Sequence, residues 1–189
     1  MRVSREQAAE NRSRVVEVAG RLFRERGFDG IGVADLMKAA GLTHGGFYGQ
    51  FASKDQLAVE ATERALERNA EVWRRRTSGE EGEPLRAVVD GYLSPRHRDR
   101  TGEGCVLAAL AADAARSEVP GLRPALQRGL ESLVATLTGL LPGRSEAARR
   151  RRALAKASAM VGALILARAV NDPALSEEIL AAVRAEYIK

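Results

Sequence analysis

The segment 33–54 constrains what this chain can fold into more than any other part of its sequence. Leu36 and Ala40 are one helical turn apart and predict a short helix with an apolar face. Gly41 follows at once, where the end of a helix favours the left-handed conformation that glycine adopts most easily. Thr43 can then cap a second short helix with its side-chain oxygen. The pattern predicts a helix-turn-helix, whose second helix enters the DNA major groove, although a plain helical hairpin without a ligand would look similar.

Residues on both sides of this segment indicate one helix before it and another directly after it. Upstream, an apolar helical pattern ends at Gly27. Its members are Val15, Val16, Ala19, Leu22 and Phe23. Downstream, Phe47 and Phe51 can pack inward against the helix pair. Ser53 and Gln56 then have the spacing of a capping box, which marks the start of a further helix.

In these features the first third of the chain closely resembles the DNA-binding domain of the TetR family of bacterial transcriptional repressors. The residues that carry the resemblance are Ala19, Leu22, Phe23, Gly27, Phe28, Ala40, Gly41, Leu42, Thr43, Gly45, Phe47, Tyr48, Phe51, Ser53, Lys54, Asp55, Gln56 and Leu57. The resemblance implies an all-α fold of about nine helices. It places a three-helix helix-turn-helix DNA-binding domain at residues 1–52 and a helical ligand-binding and dimerisation domain at residues 53–189. Two departures are that segment 30–33 lacks the usual hydroxyl cap and that Gly49 replaces a larger residue.

The predicted second helix of the motif, from Thr43 to Gln50, supplies the expected contacts with double-stranded DNA. These contacts are assigned to Thr43, His44, Gly45, Gly46, Tyr48, Gln50 and Lys54. Tyr48 and Lys54 are expected to contact phosphates, and His44 and Gln50 to protrude and read base edges. The two adjacent glycines permit close approach of the backbone. Because three glycines lower helix propensity here, we expect this helix to be held by inward aromatic packing and to order fully on DNA.

Composition excludes several other classes of protein. The chain has 189 residues and a net charge of +5, a mild basic excess that suits DNA binding without proving it. The arginine runs 74–76 and 149–152 are interpreted as solvated helix faces. With no apolar leader and no run of membrane-spanning length, we expect a cytoplasmic protein without a membrane partner. Two histidines and one cysteine give no metal-ligand spacing, and 97–99 mimics a kinase triplet by chance, so no enzyme and no cofactor are predicted.

Proline, glycine and capping residues place the remaining helices. The predicted spans are Ser53 to about Arg76 with a stop at 77–79, Pro84 to about Leu93, Gly104 to about Arg116, Leu122 to Leu141, Arg144 to about Val170, and Pro173 to the end. The segment 94–103 is polar and predicted to be rich in turns. The last helix has an apolar stripe comprising Leu175, Ile179, Leu180, Val183 and Ile188.

The helix that begins near Arg144 is apolar on a broad face and must be buried on more than one side. Burial partly within the monomer and partly against a second copy of the chain is expected, and closure of the monomer core by this helix and the last one is the alternative. The family resemblance implies a homodimer built on the last two helices as a four-helix bundle. The interface is assigned to Ala157, Val161, Leu164, Ile165, Arg168, Leu180 and Val183. A dimer would present two half-sites about one helical turn apart, so the expected operator is a palindrome.

A ligand pocket is expected between facing helices of the second domain, where helical bundles place such sites. Its expected lining is Trp73, Tyr92, His97, Cys105, Leu107, Leu110, Leu126, Leu130, Leu133, Met160 and Leu164. Because this lining is mostly aliphatic, a small hydrophobic effector that releases a repressor from DNA is expected. A filled core without a cavity is the alternative.

Cys105 opens an apolar helix just after a basic run. A helix N-terminus and nearby cations favour the reactive thiolate form of a cysteine, which would make Cys105 a sensor of electrophiles or oxidants. A small buried residue at the start of a helix is the alternative. A DNA-binding regulator switched by covalent modification of Cys105 is therefore the second functional hypothesis.

Overall fold

The computed structural model describes residues 4–78 and 83–187, and in these ranges the chain forms nine α-helices and two 3₁₀ turns. The α-helices are α1 (Arg5–Arg26), α2 (Val33–Ala39), α3 (Lys54–Thr77), α4 (Pro84–Tyr92), α5 (Pro95–Asp99), α6 (Val106–Arg116), α7 (Leu122–Leu140), α8 (Glu146–Ala169) and α9 (Pro173–Tyr187). The 3₁₀ turns are His44–Gly46 and Thr101–Glu103. The predicted all-helical fold is confirmed. Gly79 and Ile188, used above as a helix stop and as the end of a stripe, lie outside the described residues.

The glycines predicted to end the first two helices do so in the structure. Gly27 and Gly41 have φ values of 76° and 72°, so both occupy the left-handed region that ends a helix at little cost to glycine. Phe23 and Phe28 pack with ring centroids 5.4 Å apart, and Phe47 is fully buried beneath α2 and the turn that follows it. These aromatic residues form the N-terminal part of a hydrophobic core that continues into the later helices.

The recognition segment, defined as residues 43–50, is not the regular helix capped by Thr43 that the sequence predicted. It forms the 3₁₀ turn at 44–46 followed by a hydrogen-bonded turn, and the Thr43 side chain makes no capping hydrogen bond. The physical reason lies in Gly45, Gly46 and Gly49, each of which lowers helix propensity by about 1 kcal/mol relative to alanine. Phe47 holds the segment by its buried ring, as predicted.

Helix α3 begins just after the recognition segment and ends beside the pocket described below, a length of about 36 Å at 1.5 Å per residue. Ser53 Oγ accepts the Gln56 backbone N–H at 3.1 Å, as the capping box requires. The Gln56 side chain returns to the backbone N–H of Ala52 at 2.7 Å, one residue before the cap. Since α3 packs against both α1 and α7, it connects the N-terminal helices to the rest of the fold.

The segment 94–103, predicted to be rich in turns, contains the short helix α5 as well as the second 3₁₀ turn. Pro95 occupies the first turn of α5, and Ser94 Oγ accepts the His97 backbone N–H at 3.2 Å. Serine caps and first-turn prolines favour helix starts even in polar segments, which is why the composition alone was misleading. Helix α5 packs on α8, which with α7 and α9 forms the C-terminal bundle. Among the described residues, no helix is both long and apolar enough to cross a membrane.

Candidate DNA interface and ligand pocket

The exposed tip of the recognition segment presents two ring side chains together. Tyr48 is 67% exposed, and His44 beside it is also exposed, with the two ring centroids 5.9 Å apart. The buried ring of Phe47 meets Tyr48 edge-on at 5.3 Å and so fixes its direction. Thr43 is exposed as well. This arrangement offers a hydroxyl, an imidazole and a phenol to whatever lies against the tip.

Gln50 differs from the protruding base reader that the sequence predicted. Its side chain is half-buried, and Oε1 is buried without a hydrogen-bond partner among the described residues. Lys54, by contrast, stands at the first position of α3 with its side chain partly exposed. Lys54 therefore remains available for a phosphate contact close in sequence to the recognition segment, whereas the Gln50 side chain points partly into the protein.

The glycines of the recognition segment are not required by the fold itself. Neither Gly45 nor Gly46 has a positive φ. A Cβ atom built on Gly45 would meet no atom within 4 Å, and one on Gly46 would make only ordinary contacts, at 3.7 and 3.8 Å. Backbone conformation and internal packing would therefore tolerate alanine at both positions, which leaves close approach of an external partner as a reason for glycine.

A pocket of about 280 Å³ lies between the C-terminal half of α3, α4, α5 and the start of α6. Its lining residues are Asn69, Val72, Trp73, Arg76, Gly91, Ser94, Arg96, His97, Arg100, Glu103, Gly104 and Cys105. Three of these, Trp73, His97 and Cys105, belong to the lining expected from the sequence. The arginines were missed as lining residues, and Arg76 lines the pocket while its side chain stays exposed to solvent, as the sequence suggested.

The aliphatic residues expected to line a cavity lie elsewhere. Six are buried in the packed core: Leu107, Leu110, Leu126, Leu133, Met160 and Leu164. Leu130 instead lies at the surface, 37% exposed. Tyr92 is fully buried one layer behind the pocket, stacked on Trp73 with ring centroids 5.6 Å apart. Because small alanine side chains let the helices approach closely, the leucines fill the bundle instead of surrounding a space.

His97 forms a fixed part of the pocket floor. Its Nδ1–H donates to the Tyr92 carbonyl oxygen at 2.7 Å, and its Nε2 accepts the Cys105 backbone N–H at 2.8 Å. Only a neutral imidazole with the proton on Nδ1 satisfies both bonds. Burial is the main reason that the pKa of His97 falls to about 4. The residue therefore contributes shape and no charge at neutral pH.

Cys105 precedes the first residue of α6 and is largely buried against this floor. Two polar atoms of neighbouring residues, the Tyr92 hydroxyl and Arg168 Nη1, are buried without a hydrogen-bond partner among the described residues. Burial, followed by the nearby Cys105, raises the pKa of Tyr92 well above its usual value. Gly104 leaves the space for this arrangement, since a Cβ there would lie 3.0 Å from both His97 and Arg168.

The wall of the pocket is bonded directly to the N-terminal helices. Arg24 on α1 donates from Nε to the carbonyl oxygen of Gly102 at 2.8 Å, next to the lining residue Glu103. Burial lowers the pKa of Arg24 to about 10. A second bond joins Asp113 of α6 to the backbone N–H of Phe28 at 3.3 Å. A shift of the 3₁₀ turn at 101–103 or of α6 would therefore act on the end of α1.

Helices α8 and α9 present an apolar surface that differs from the predicted interface. Ala157, Leu164 and Leu180 are buried within the protomer, Val161 and Val183 are half-buried, and Arg168 donates to the carbonyl oxygens of His97 and Arg98. Only Ile165 of the predicted set is exposed. It is joined by the exposed large apolar side chains of Leu154, Leu166 and Leu175. A helix that is apolar on most sides does not reveal which face points outward, and packing against α7 and α9 decides it.

Comparison with known proteins extends these observations. The family described as bacterial regulatory proteins, tetR family, matches residues 15–61. The HTH-type transcriptional regulator TtgR of Pseudomonas putida is 32% identical over 85 residues, which is 45% of this chain and 40% of TtgR. The HTH-type transcriptional regulator AcrR of Shigella flexneri is 36% identical over 62 residues, or 33% of this chain and 29% of AcrR. The match thus spans less than half the length of these relatives.

Solved structures match over nearly the whole chain. Reduced NemR of E. coli aligns with a TM-score of 0.78 at 23% identity over 95% of both chains, which shows a shared fold. A TetR transcriptional regulator from Chloroflexus aurantiacus aligns with a TM-score of 0.77 at 26% identity, again over 95% of both chains. Residues 15–61 therefore carry the helix-turn-helix of the tetR family of bacterial regulatory proteins, and the remaining helices share the architecture of these solved structures.

Proposed function

We propose that this protein is a repressor that binds a palindromic operator as a homodimer and is released when a small molecule occupies the pocket beside Trp73. In this proposal residues 1–52 bind DNA and residues 53–189 bind the ligand and the second copy. The observation that carries the proposal is the hydrogen bond from Arg24 on α1 to the Gly102 carbonyl in the pocket wall. It joins the turn beside the candidate ligand site to α1, the first helix of the proposed DNA-binding domain.

On the DNA side, the recognition segment combines exposed polar rings with glycines that the fold does not need. His44 is available for a base edge, and Tyr48, Lys54 and the hydroxyl of Thr43 are available for phosphates. Gly45 and Gly46 allow the backbone to come close to the groove. Gln50 reaches a base only if its half-buried side chain turns outward on binding.

On the dimer side, exposed Leu154, Ile165, Leu166 and Leu175 support a face in which α8 and α9 of two copies pack together. A Cβ built on Gly162, which lies on α8 between them in sequence, would meet no atom within 4 Å, so a partner helix could approach there. Two recognition segments held by such a face would reach half-sites about 34–36 Å apart on one side of the duplex.

Release follows from the two contacts between the pocket and α1. A ligand that displaces the wall at 102–105 would pull on Arg24, and a shift of α6 would act on Phe28 through Asp113. Either movement reorients α1 and, through α2, the recognition segment, so the two halves of the dimer no longer match the palindrome. A coupling of about 1–3 kcal/mol, or roughly 5- to 150-fold in operator affinity, is typical of such linkage.

The test is operator binding by fluorescence anisotropy on DNA from upstream of the protein's own gene, combined with a small-molecule screen that follows the fluorescence of Trp73. Trp73 is the sole tryptophan of the chain, so its signal reports on the pocket. Arg24→Met removes the bonds to Gly102 while keeping most of the side-chain stem. We expect this variant to bind the ligand normally and to lose most of the ligand effect on operator affinity.

Arg14→Met is the matched control, because Arg14 lies on the same helix, is exposed, and precedes Arg24 by ten residues. It should respond to ligand as the unmodified protein does. A full ligand response in Arg24→Met would contradict the proposed route, and operator binding that no pocket ligand alters would contradict release by a ligand.

A second candidate function is regulation by covalent modification of Cys105. It is favoured by the position of the thiol in the pocket lining and by the unpartnered Tyr92 hydroxyl and Arg168 Nη1 near it. With iodoacetamide, the thiolate sulfur displaces iodide and forms a thioether that would fill the pocket. If this function holds, iodoacetamide abolishes operator binding by the unmodified protein and leaves Cys105→Ala unaffected. Equal loss in both proteins, or loss in neither, would exclude it.

A further inference from the structure

We propose that the pocket beside Trp73 selects a small carboxylate, with the acid group held by Arg76 and Arg96 and a compact apolar body packed on Val72 and Trp73. This inference rests on the proposed function in treating the pocket as the effector site. It differs from the hydrophobic, weakly polar ligand expected from the sequence, because the lining that the structure provides is cationic where aliphatic side chains were expected.

The charges of the lining are unbalanced. Arg76, Arg96 and Arg100 face one acidic residue, Glu103, and Arg100 already pairs with it at 3.2 Å. No carboxylate of the described residues forms an ion pair with Arg76 or Arg96. Two guanidinium groups therefore stand at the pocket without a compensating negative charge.

Arg76 is exposed at the pocket and lies near a second positive charge. Partial burial is the main cause of a lowered pKa of Arg76, and the positive charge of Arg96 adds to it. The guanidinium lies over Gly91, in space that a side chain at that position would share. A carboxylate placed between the two arginines would relieve their repulsion and accept charge-assisted hydrogen bonds from both.

Adjacent to these charges is an apolar wall that suits a flat or compact ligand body. Val72 is 43% exposed although it is aliphatic, and it lines the pocket next to the indole of Trp73. The guanidinium of Arg76 lies 5.4 Å from the Trp73 ring centroid, within cation–π distance. Charge and apolar surface are thus side by side, as the head and body of an aromatic acid would require.

His97 on the floor of the pocket carries no charge, so it neither repels a bound carboxylate nor adds a third positive group. His97 is neutral because both ring nitrogens are committed, to the Tyr92 carbonyl and to the Cys105 backbone N–H. The volume of about 280 Å³ is near the lower end of the range for ligand pockets, which argues for a compact molecule. A one- or two-ring carboxylic acid satisfies these limits.

The experiment compares carboxylates with their uncharged amides on the full-length chain. Benzoate, cinnamate and 2-naphthoate are titrated beside the corresponding amides, with quenching of Trp73 as the signal and calorimetry as an independent measure. We expect at least one acid to bind about tenfold or more tightly than its amide, the factor expected when a charge-assisted hydrogen bond is gained. No binding by any of the acids, or equal binding of acid and amide, would overturn the proposal.

Variants assign the selectivity to residues. Arg96→Gln and Arg76→Gln should each lower the affinity for the acid by about tenfold and leave the amide unchanged. Calorimetry is used for Arg76→Gln, because Arg76 lies beside the Trp73 ring. Arg75→Gln is the matched control, since Arg75 has the same charge, pairs with Glu71 and lies outside the lining. A loss in Arg75→Gln as large as that in Arg96→Gln would overturn the assignment.

Operator affinity is measured separately on the same samples, so that the two proposals can fail separately. If an acid binds through Arg76 and Arg96 and operator affinity stays the same, carboxylate selectivity stands and ligand-released repression fails. If operator binding responds to an uncharged molecule in the pocket and to none of the acids, repression stands and carboxylate selectivity fails. Circular dichroism confirms that each variant is folded before either measurement is interpreted.

Discussion

Gly45 lies at the exposed tip of the recognition segment, and we expect Gly45→Ala to stabilise the free protein while weakening its binding to operator DNA. The added methyl would meet no atom within 4 Å, and the backbone φ is not positive. Alanine then restricts the unfolded chain at no cost to the folded one, which is worth about 0.4–1 kcal/mol. For a chain of this size the melting temperature should rise by about 1–4 °C.

The same methyl group would act differently against DNA. If the backbone at Gly45 approaches the groove closely, the extra carbon pushes the recognition segment away from the bases. The loss of one good base contact costs about 1–3 kcal/mol, so operator affinity should fall by roughly 5- to 150-fold. Opposite signs in stability and affinity distinguish this effect from ordinary damage to the fold.

Gly139→Ala provides the control for both measurements. Gly139 lies within α7, is exposed, and a Cβ built there would likewise meet no atom within 4 Å. Alanine is favoured over glycine by at most about 1 kcal/mol in a helix, and Gly139 lies in the last turn of α7, so this variant should also melt at a higher temperature while binding operator normally. Thermal unfolding and anisotropy at fixed salt measure the two effects. Unchanged operator affinity in Gly45→Ala, or a lower melting temperature, would refute the reasoning.

Three further predictions concern other parts of the molecule. Lys54→Ala should weaken binding on all DNA sequences and reduce the slope of log affinity against log salt by about 1.8 for the dimer, about 0.9 for each lost phosphate contact, and an unchanged slope would remove Lys54 from these contacts. Ile165→Asp should give a folded monomer in sedimentation, whereas Leu130→Asp, at an exposed position on α7, should stay dimeric; a dimer in both would move the interface elsewhere. Since burial lowers the pKa of His97 to about 4, below the 6.5 of an unfolded histidine, the unfolded chain gains a proton first as pH falls. Stability should therefore be complete above about pH 6.5 and decrease toward pH 4 by at most about 3 kcal/mol, and denaturant titrations should show a weaker pH dependence in His97→Gln.

Helix ends and helix caps that depend on only a few neighbouring residues could be predicted from the sequence. Gly27 and Gly41 end helices because only the local backbone has to turn, and Ser53 and Ser145 cap helices by bonds to residues three positions away. The recognition segment shows the limit of such signals. Its predicted helix is a 3₁₀ turn followed by a hydrogen-bonded turn, because three glycines leave too little local preference for a regular helix.

The pocket and the exposed face of α8 depend on packing between distant residues, which a single sequence does not specify. Leucines assigned to a cavity filled the core instead, because alanine-rich helices leave little space between them. One usable signal was present, since Asn69, Trp73 and Arg76 fall on one face of α3 at positions i, i+4 and i+7. Treating the arginines 74–76 as a uniform solvated run hid this face.

The most direct measurement is the affinity of the full-length protein for DNA from upstream of its own gene, with and without saturation of the pocket by the carboxylate that binds most tightly. We expect saturation to weaken operator binding by roughly 5- to 150-fold, and the operator to weaken carboxylate binding by the same factor, because linkage is reciprocal. Equal operator affinities for the empty and the saturated protein would contradict a repressor released through this pocket.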